Sequence, residues 1–156
     1  RQQLINIILN APNWKPQGPG PNQDIQSGAA KDNLLRLIAA MLESLPGEQL
    51  TPSVLQTGHS CRSEGGGISN HSAGLAMDIG AAGHTEGSMN NMFTWLHTNS
   101  AALGVDELIY NPAPPGTNTL KHGKPLVYDS ATLNGHKDHI HVSVEGPPAT
   151  SCPPGT

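Results

Sequence analysis

His139-Ile140-His141-Val142-Ser143-Val144 alternates polar and apolar residues without a break and is the clearest strand pattern in the chain. In an extended backbone, residues two apart share a face, so Ile140, Val142 and Val144 turn one way while His139 and His141 turn together into whatever lies opposite. The pattern predicts a half-buried strand with an apolar floor and two imidazoles facing a cleft. Working outward, Ala76-Met77-Asp78-Ile79 and Glu107-Leu108-Ile109-Tyr110 read as further short strands, as do Ser53–Gly58 and Leu126-Val127-Tyr128. Between them, Leu34, Leu35, Leu37, Ile38, Met41, Leu42 and Leu45 recur at helical spacing from about Ala29 and stop at Pro46-Gly47. A second helix is expected from Ser88 as N-cap to about Leu103, burying Met89, Met92, Phe93 and Leu96, with Gly104 closing it. The expected fold class is α+β: a small central antiparallel sheet, two main helices on one side, and a site in an open cleft on the other.

Composition supports a loop-rich domain of this kind. The 156 residues suit one core, with 18 Gly, 14 Pro and only 13% charged residues. Residues 1–28 are read as an N-terminal extension or linker: Leu4 to Leu9 could be a strand or a helical turn, and Asn10 to Gly28 is rich in Pro, Gly, Asn and Gln. The main domain is expected over 29–146, with an extended tail over 147–156. A formal net charge of -4 gives no electrostatic reason to expect a nucleic-acid partner. No apolar run approaches the roughly 20 residues that span a bilayer, so membrane insertion is not expected. The chain shows no signal-peptide pattern and starts at Arg1, and is expected to be a mature form or an excised domain, acting as a monomer.

Eight histidines among so few charged residues raise the question of a metal. Imidazole and carboxylate ligands suit zinc, and a catalytic zinc site usually takes three protein ligands. A local pair is offered by His71 and Asp78, in Ser69-Asn70-His71-Ser72-Ala73-Gly74-Leu75-Ala76-Met77-Asp78, and a third ligand by Asp138-His139-Ile140-His141, where one histidine can bind metal and the other touch substrate. The remaining histidines, His59, His84, His97, His122 and His136, read as solvated, with His136 the one placed to line the cleft. The glycine run Gly65-Gly66-Gly67 reads as loop. Cys61 and Cys152 are a candidate disulfide, with two free thiols as the alternative.

The two motifs, Ser69-x-His71-x-x-Gly74-x-Ala76-x-Asp78 and Asp138-His139-x-His141, resemble those of the zinc D-alanyl-D-alanine carboxypeptidases, which belong with the lysostaphin-type and hedgehog-like zinc folds. The resemblance covers about Thr57 to Val144. It implies Zn2+ held by His71, Asp78 and His141, with Asp138 as the general base that takes a proton from the attacking water. It further implies His139 as the group that stabilises charge on the attacked carbonyl, and Arg62 and Ser69 as substrate-binding residues. The implied activity is hydrolysis of an amide bond in the stem peptides or cross-links of bacterial peptidoglycan, as a secreted wall-remodelling enzyme or a virion-associated phage lysin. Two other readings stand beside it: a catalytically inert zinc module of the same fold that recognises a partner, and a zinc that only staples a Gly/Pro-rich chain.

Overall fold

The structure is a computed structural model that describes residues 1–63 and 66–153. The alternating stretch forms β6 (His139–Val144), which lies inside the sheet between β2 (Ala76–Gly80) and β3 (Val105–Ile109). Outside these sit β1 (Pro52–Val54) next to β2, and β4 (Leu120–Lys121) and β5 (Lys124–Pro125) beyond β3, giving the order β1-β2-β6-β3-β4-β5 with every pairing antiparallel. Register then sorts the side chains. Asp78 stands opposite His141 and Glu107 opposite Ser143, and directly opposed residues share a face. One face therefore carries Asp78, Glu107, His139, His141 and Ser143, while Met77, Ile79, Leu108, Ile140 and Val142 are fully buried on the other.

The apolar face is covered by helices: α3 (Asp32–Ser44), which buries the expected Leu34, Leu35, Leu37, Ile38, Met41 and Leu42, and α4 (Glu86–Thr98), which buries Met89, Met92, Phe93 and Leu96. The N-cap of α4 is Thr85, three residues before the expected Ser88: its hydroxyl accepts the Ser88 amide at 3.0 Å, so Ser88 lies inside the first turn. The helical path breaks at Asn99 and resumes as α5 (Ser100–Leu103), which Gly104 ends at φ +67° as expected. Leu126–Tyr128 is not a strand; the pairing edge falls one step earlier, at Lys124–Pro125, and Val127 is left 88% exposed. A short α6 (Ser130–Asn134), capped by Asp129, leads into β6. Glu64 and Gly65, the latter opening the glycine run, lie outside the described residues.

The largest departure is at the N-terminus. Residues 1–28, read from composition as extension or linker, hold α1 (Gln2–Asn10) and α2 (Gly20–Ser27), and Ile5, Ile8, Trp14 and Ile25 join the same buried cluster as the sheet. Pro21 is tolerated because it falls in the first turn of α2, where its missing N–H costs nothing. Composition misleads here because a helix this short is stabilised by tertiary packing rather than propensity. Asp24 shows the coupling: it is buried, and its carboxylate accepts the amides of Gln56 and Thr57, each at 2.8 Å, and the Thr57 hydroxyl at 2.6 Å.

Gly74 fixes the other crossing between the N-terminal layer and the site. It adopts φ +72°, its carbonyl accepts the Lys31 amide at 2.9 Å, and an added Cβ would lie 1.8 Å from the Ala29 carbonyl oxygen. Both the left-handed backbone and the clash oppose any side chain, so Gly74→Ala is expected to cost at least about 2 kcal/mol in urea unfolding. A change below about 0.5 kcal/mol, the range of ordinary surface substitutions, would show that the crossing is looser than described.

The Cys61–Cys152 disulfide is formed, closing a separation of 91 residues and tying the loop before the His71 motif to the segment after β6.

Candidate metal centre

Asp78 is the hub of the polar face. Its Oδ1 lies 3.1 Å from His71 Nε2 and 3.2 Å from His141 Nδ1. The other oxygen, Oδ2, is 3.9 Å from His139 Nε2. Each ring is fixed from behind. His71, 1% exposed, places Nδ1 against the Leu55 carbonyl, which can only accept; Nδ1 must carry the proton, and Nε2 turns a bare lone pair to Asp78. The Ser69 hydroxyl accepts the His71 amide at 3.1 Å and sets the turn that delivers the ring. His141 enters from β6 with Nδ1 toward Asp78 and Nε2 3.0 Å from Glu107 Oε1. Glu107 is itself held by Asn70 Nδ2 at 2.8 Å and the Ser143 hydroxyl at 3.2 Å.

His59 completes the cluster. Its ring stacks on His71 with centroids 4.1 Å apart, and its Nδ1 donates to the Ser60 carbonyl at 2.6 Å, which leaves Nε2 bare. His59, His71 and Asp78 each offer a ligand atom within 4.8 Å of the others, a group that could hold a metal ion. The donor chemistry fits: bare imidazole nitrogens and a carboxylate, each backed by a hydrogen bond that fixes its orientation. His141, bonded to the same Asp78 oxygen, borders this group.

The electrostatics follow from burying two carboxylates together. Burial alone would lower the His141 pKa, but its bonds to Asp78 and Glu107 outweigh that and raise it to about 9. Glu107 is shifted the other way: burial opposes its charge, yet the bond from His141 brings it down to about 2. Asp78 is lowered further still, with burial again opposing and the His141 bond winning. His71 is lowered, chiefly by burial, and stays neutral. Protonated His141 thus balances the buried carboxylates when no ion is bound. Because its folded pKa lies above the ordinary 6.5, its contribution to stability is complete below pH 6.5 and is lost as pH rises through about 9. The metal-free protein should therefore melt at progressively lower temperature between pH 6.5 and 9, and His141→Gln should lack that decline. Identical slopes for both proteins would contradict the arrangement.

The remaining expectations sort themselves by position. Asp138 is exposed, its side chain 89% accessible, and it accepts His139 Nδ1 at 2.8 Å rather than facing Asp78. This placement does not put it in position for the expected role of direct base; its contact toward the site runs through the His139 ring. Ser69, expected to touch substrate, is buried and spent on the His71 amide. Arg62, expected to hold a substrate carbonyl, is exposed and donates to the Gly66 carbonyl at 3.1 Å within its own turn. His136, as expected, borders the site, its ring 4.7 Å from His139 and 5.9 Å from His141. Glu107 went unassigned in the sequence, and His59, read there as solvated, instead stacks on His71. The signal for Glu107 was an acid inside an apolar strand; for His59 it was only the proximity to Cys61.

Comparison with known proteins adds no relative: no family model matches the chain, and no curated protein or solved structure resembles it significantly. No helix among the described residues is long and apolar enough to cross a membrane.

Proposed function

We propose that the chain is a zinc-dependent peptidase acting on an amide bond of peptidoglycan stem peptides or cross-links, with zinc held by His71, Asp78 and His141 and with His59 beside it. The observation that carries this reading is the convergence of His71 Nε2 and His141 Nδ1 on one Asp78 oxygen, each ring fixed from behind by a separate partner. A structural staple would not need the extra proton-handling pair that stands next to it. When bound, zinc supplies electrophilic polarisation of the amide carbonyl and acidifies water toward a pKa of about 7. The chain's own groups do the rest. Glu107 holds His141 in one orientation. Asp138 keeps the proton on His139 Nδ1, which leaves Nε2 as a bare base on the Asp78 side; it accepts a proton from the attacking water and returns it to the leaving amine. Asp138 steadies the imidazolium formed in between.

The disulfide supports an oxidising compartment, hence a secreted, wall-associated or virion-borne protein, as either a wall-remodelling enzyme or a phage lysin. The test is mass spectrometry of products released from defined muropeptides, with and without chelator, for the unaltered protein and Asp138→Ala. Asp138→Ala is expected to keep its zinc and lose roughly 100-fold or more in turnover, the range of general acid–base contributions. Zinc-loaded protein that releases no product while binding walls would replace this reading with the inert recognition module.

A further inference from the structure

The proposed metal site has one donor more than hydrolysis needs. His71, Asp78 and His141 are buried, and His59 stands beside them as a fourth. The His59 Nδ1 donates to the Ser60 carbonyl, so its neutral ring presents a proton-free Nε2, and a donor nitrogen of the ring lies within 4.8 Å of donor atoms on both His71 and Asp78. A catalytic zinc site keeps one position open for water or substrate, whereas four protein ligands make the closed shell of a structural site. With all four donors on the ion at once, chemistry has no position left, so one of them must come off for turnover.

How each donor is held decides which one. Asp78 lies within β2, His71 is bonded to the Leu55 carbonyl, and His141 is wedged between Asp78 and Glu107. None of these three can leave without breaking the sheet or a buried hydrogen bond. His59 is half-buried and rides on a turn whose other residues, Thr57, Gly58 and Ser60, are exposed. Gly58 takes φ +91°, and a Cβ added there would meet nothing within 4 Å, so the turn stands clear of the body of the protein. The only hydrogen bond of the His59 ring runs to its own neighbour, Ser60, and its ring contact is the stack on His71 at 4.1 Å. Both ends of the turn are nonetheless fixed: Asp24 grips the Gln56 and Thr57 amides, and Cys61 is bonded to Cys152. The ring can swing off the ion but cannot drift away, which keeps it at high effective concentration beside the site.

We infer that His59 is a displaceable fourth ligand: in the resting protein it closes the zinc site, and it swings out on the 57–60 turn when a water or substrate oxygen takes its place. This rests on the ligand set His71, Asp78 and His141 proposed above, and not on peptide hydrolysis.

The experiment measures zinc affinity by competition with a chromogenic chelator for the unaltered protein, His59→Ala and His59→Phe, and imidazole binding to the cobalt-substituted forms by visible absorption. Both variants should bind zinc roughly 10–100-fold more weakly, no less than the loss of an outer-shell partner causes. His59→Phe keeps a ring to stack on His71, so a loss shared by both variants belongs to the nitrogen and not to the stack. Free imidazole should bind the cobalt form of His59→Ala at least about ten-fold more tightly than that of the unaltered protein, where the tethered ring competes, and should return its spectrum toward the unaltered one. Zinc affinity unmoved in His59→Phe would make His59 a brace for His71 and overturn the inference. Weakened zinc binding with no gain for imidazole would overturn displacement. Product release from muropeptides is read separately. Its absence alongside the expected metal results sinks the peptidase alone, whereas hydrolysis with zinc affinity unchanged in both variants sinks the fourth ligand alone.

Discussion

His71→Ala should purify with almost no zinc and hydrolyse wall peptides at least about a thousandfold more slowly, since the electrophilic contribution of a bound metal is worth several kcal/mol in the transition state. His71 is the variant to examine first because its ring is neutral and its removal unbalances no charge. What is lost besides the ligand is one hydrogen bond to Leu55 and a buried ring, so the variant should still fold with reduced stability. His141→Ala should lose the same zinc and activity for a second reason as well. It strips the positive charge from between Asp78 and Glu107, and breaking a buried pair of this kind typically costs about 3–5 kcal/mol. Zinc content by elemental analysis, turnover, and urea unfolding distinguish the two. A His71→Ala protein that retains a full complement of zinc would remove that residue from the ligand set.

Loss of the Cys61–Cys152 bond is the largest stability effect expected away from the metal. Closing 91 residues reduces the freedom of the unfolded chain by an amount worth about 4–5 kcal/mol on the chain-entropy account. For a chain of this size that corresponds to a fall in melting temperature of roughly 10–18 °C. The double Cys61→Ser, Cys152→Ser variant and the reduced unaltered protein should melt together, both well below the oxidised form. The bond also anchors the loop that carries His59, so zinc affinity should weaken in the same variant. A melting shift of only a degree or two would mean that the native chain does not use this constraint.

What was legible in the sequence was what repeats or alternates. The period-2 pattern of His139–Val144 located the central strand and the face of both histidines, and the Leu/Ile/Met spacing located α3. The spacing of His71 and Asp78 was legible because a tight glycine turn and a strand entry are local events. Contacts created by register were not. Glu107 reaches His141 because β3 pairs with β6, and nothing within residues 105–109 announces that neighbour. His59 reaches His71 through a loop whose course is set by Asp24, a carboxylate more than thirty residues upstream. The outward course of the Asp138 carboxylate, exposed and bonded to His139, was not legible either, because it depends on how the chain enters β6 with its carbonyl bonded to Ala81.

The Asp24 clamp has a consequence for where the smallest working unit begins. Leu55, whose carbonyl orients His71, and His59, which stacks on that ring, flank the very amides that Asp24 grips. Cutting the chain at residue 29, where the motif-bearing region starts on paper, would therefore leave the His71 ring without its brace: the opening helices serve the candidate metal centre as its scaffolding, and trimming them away should dismantle it from behind.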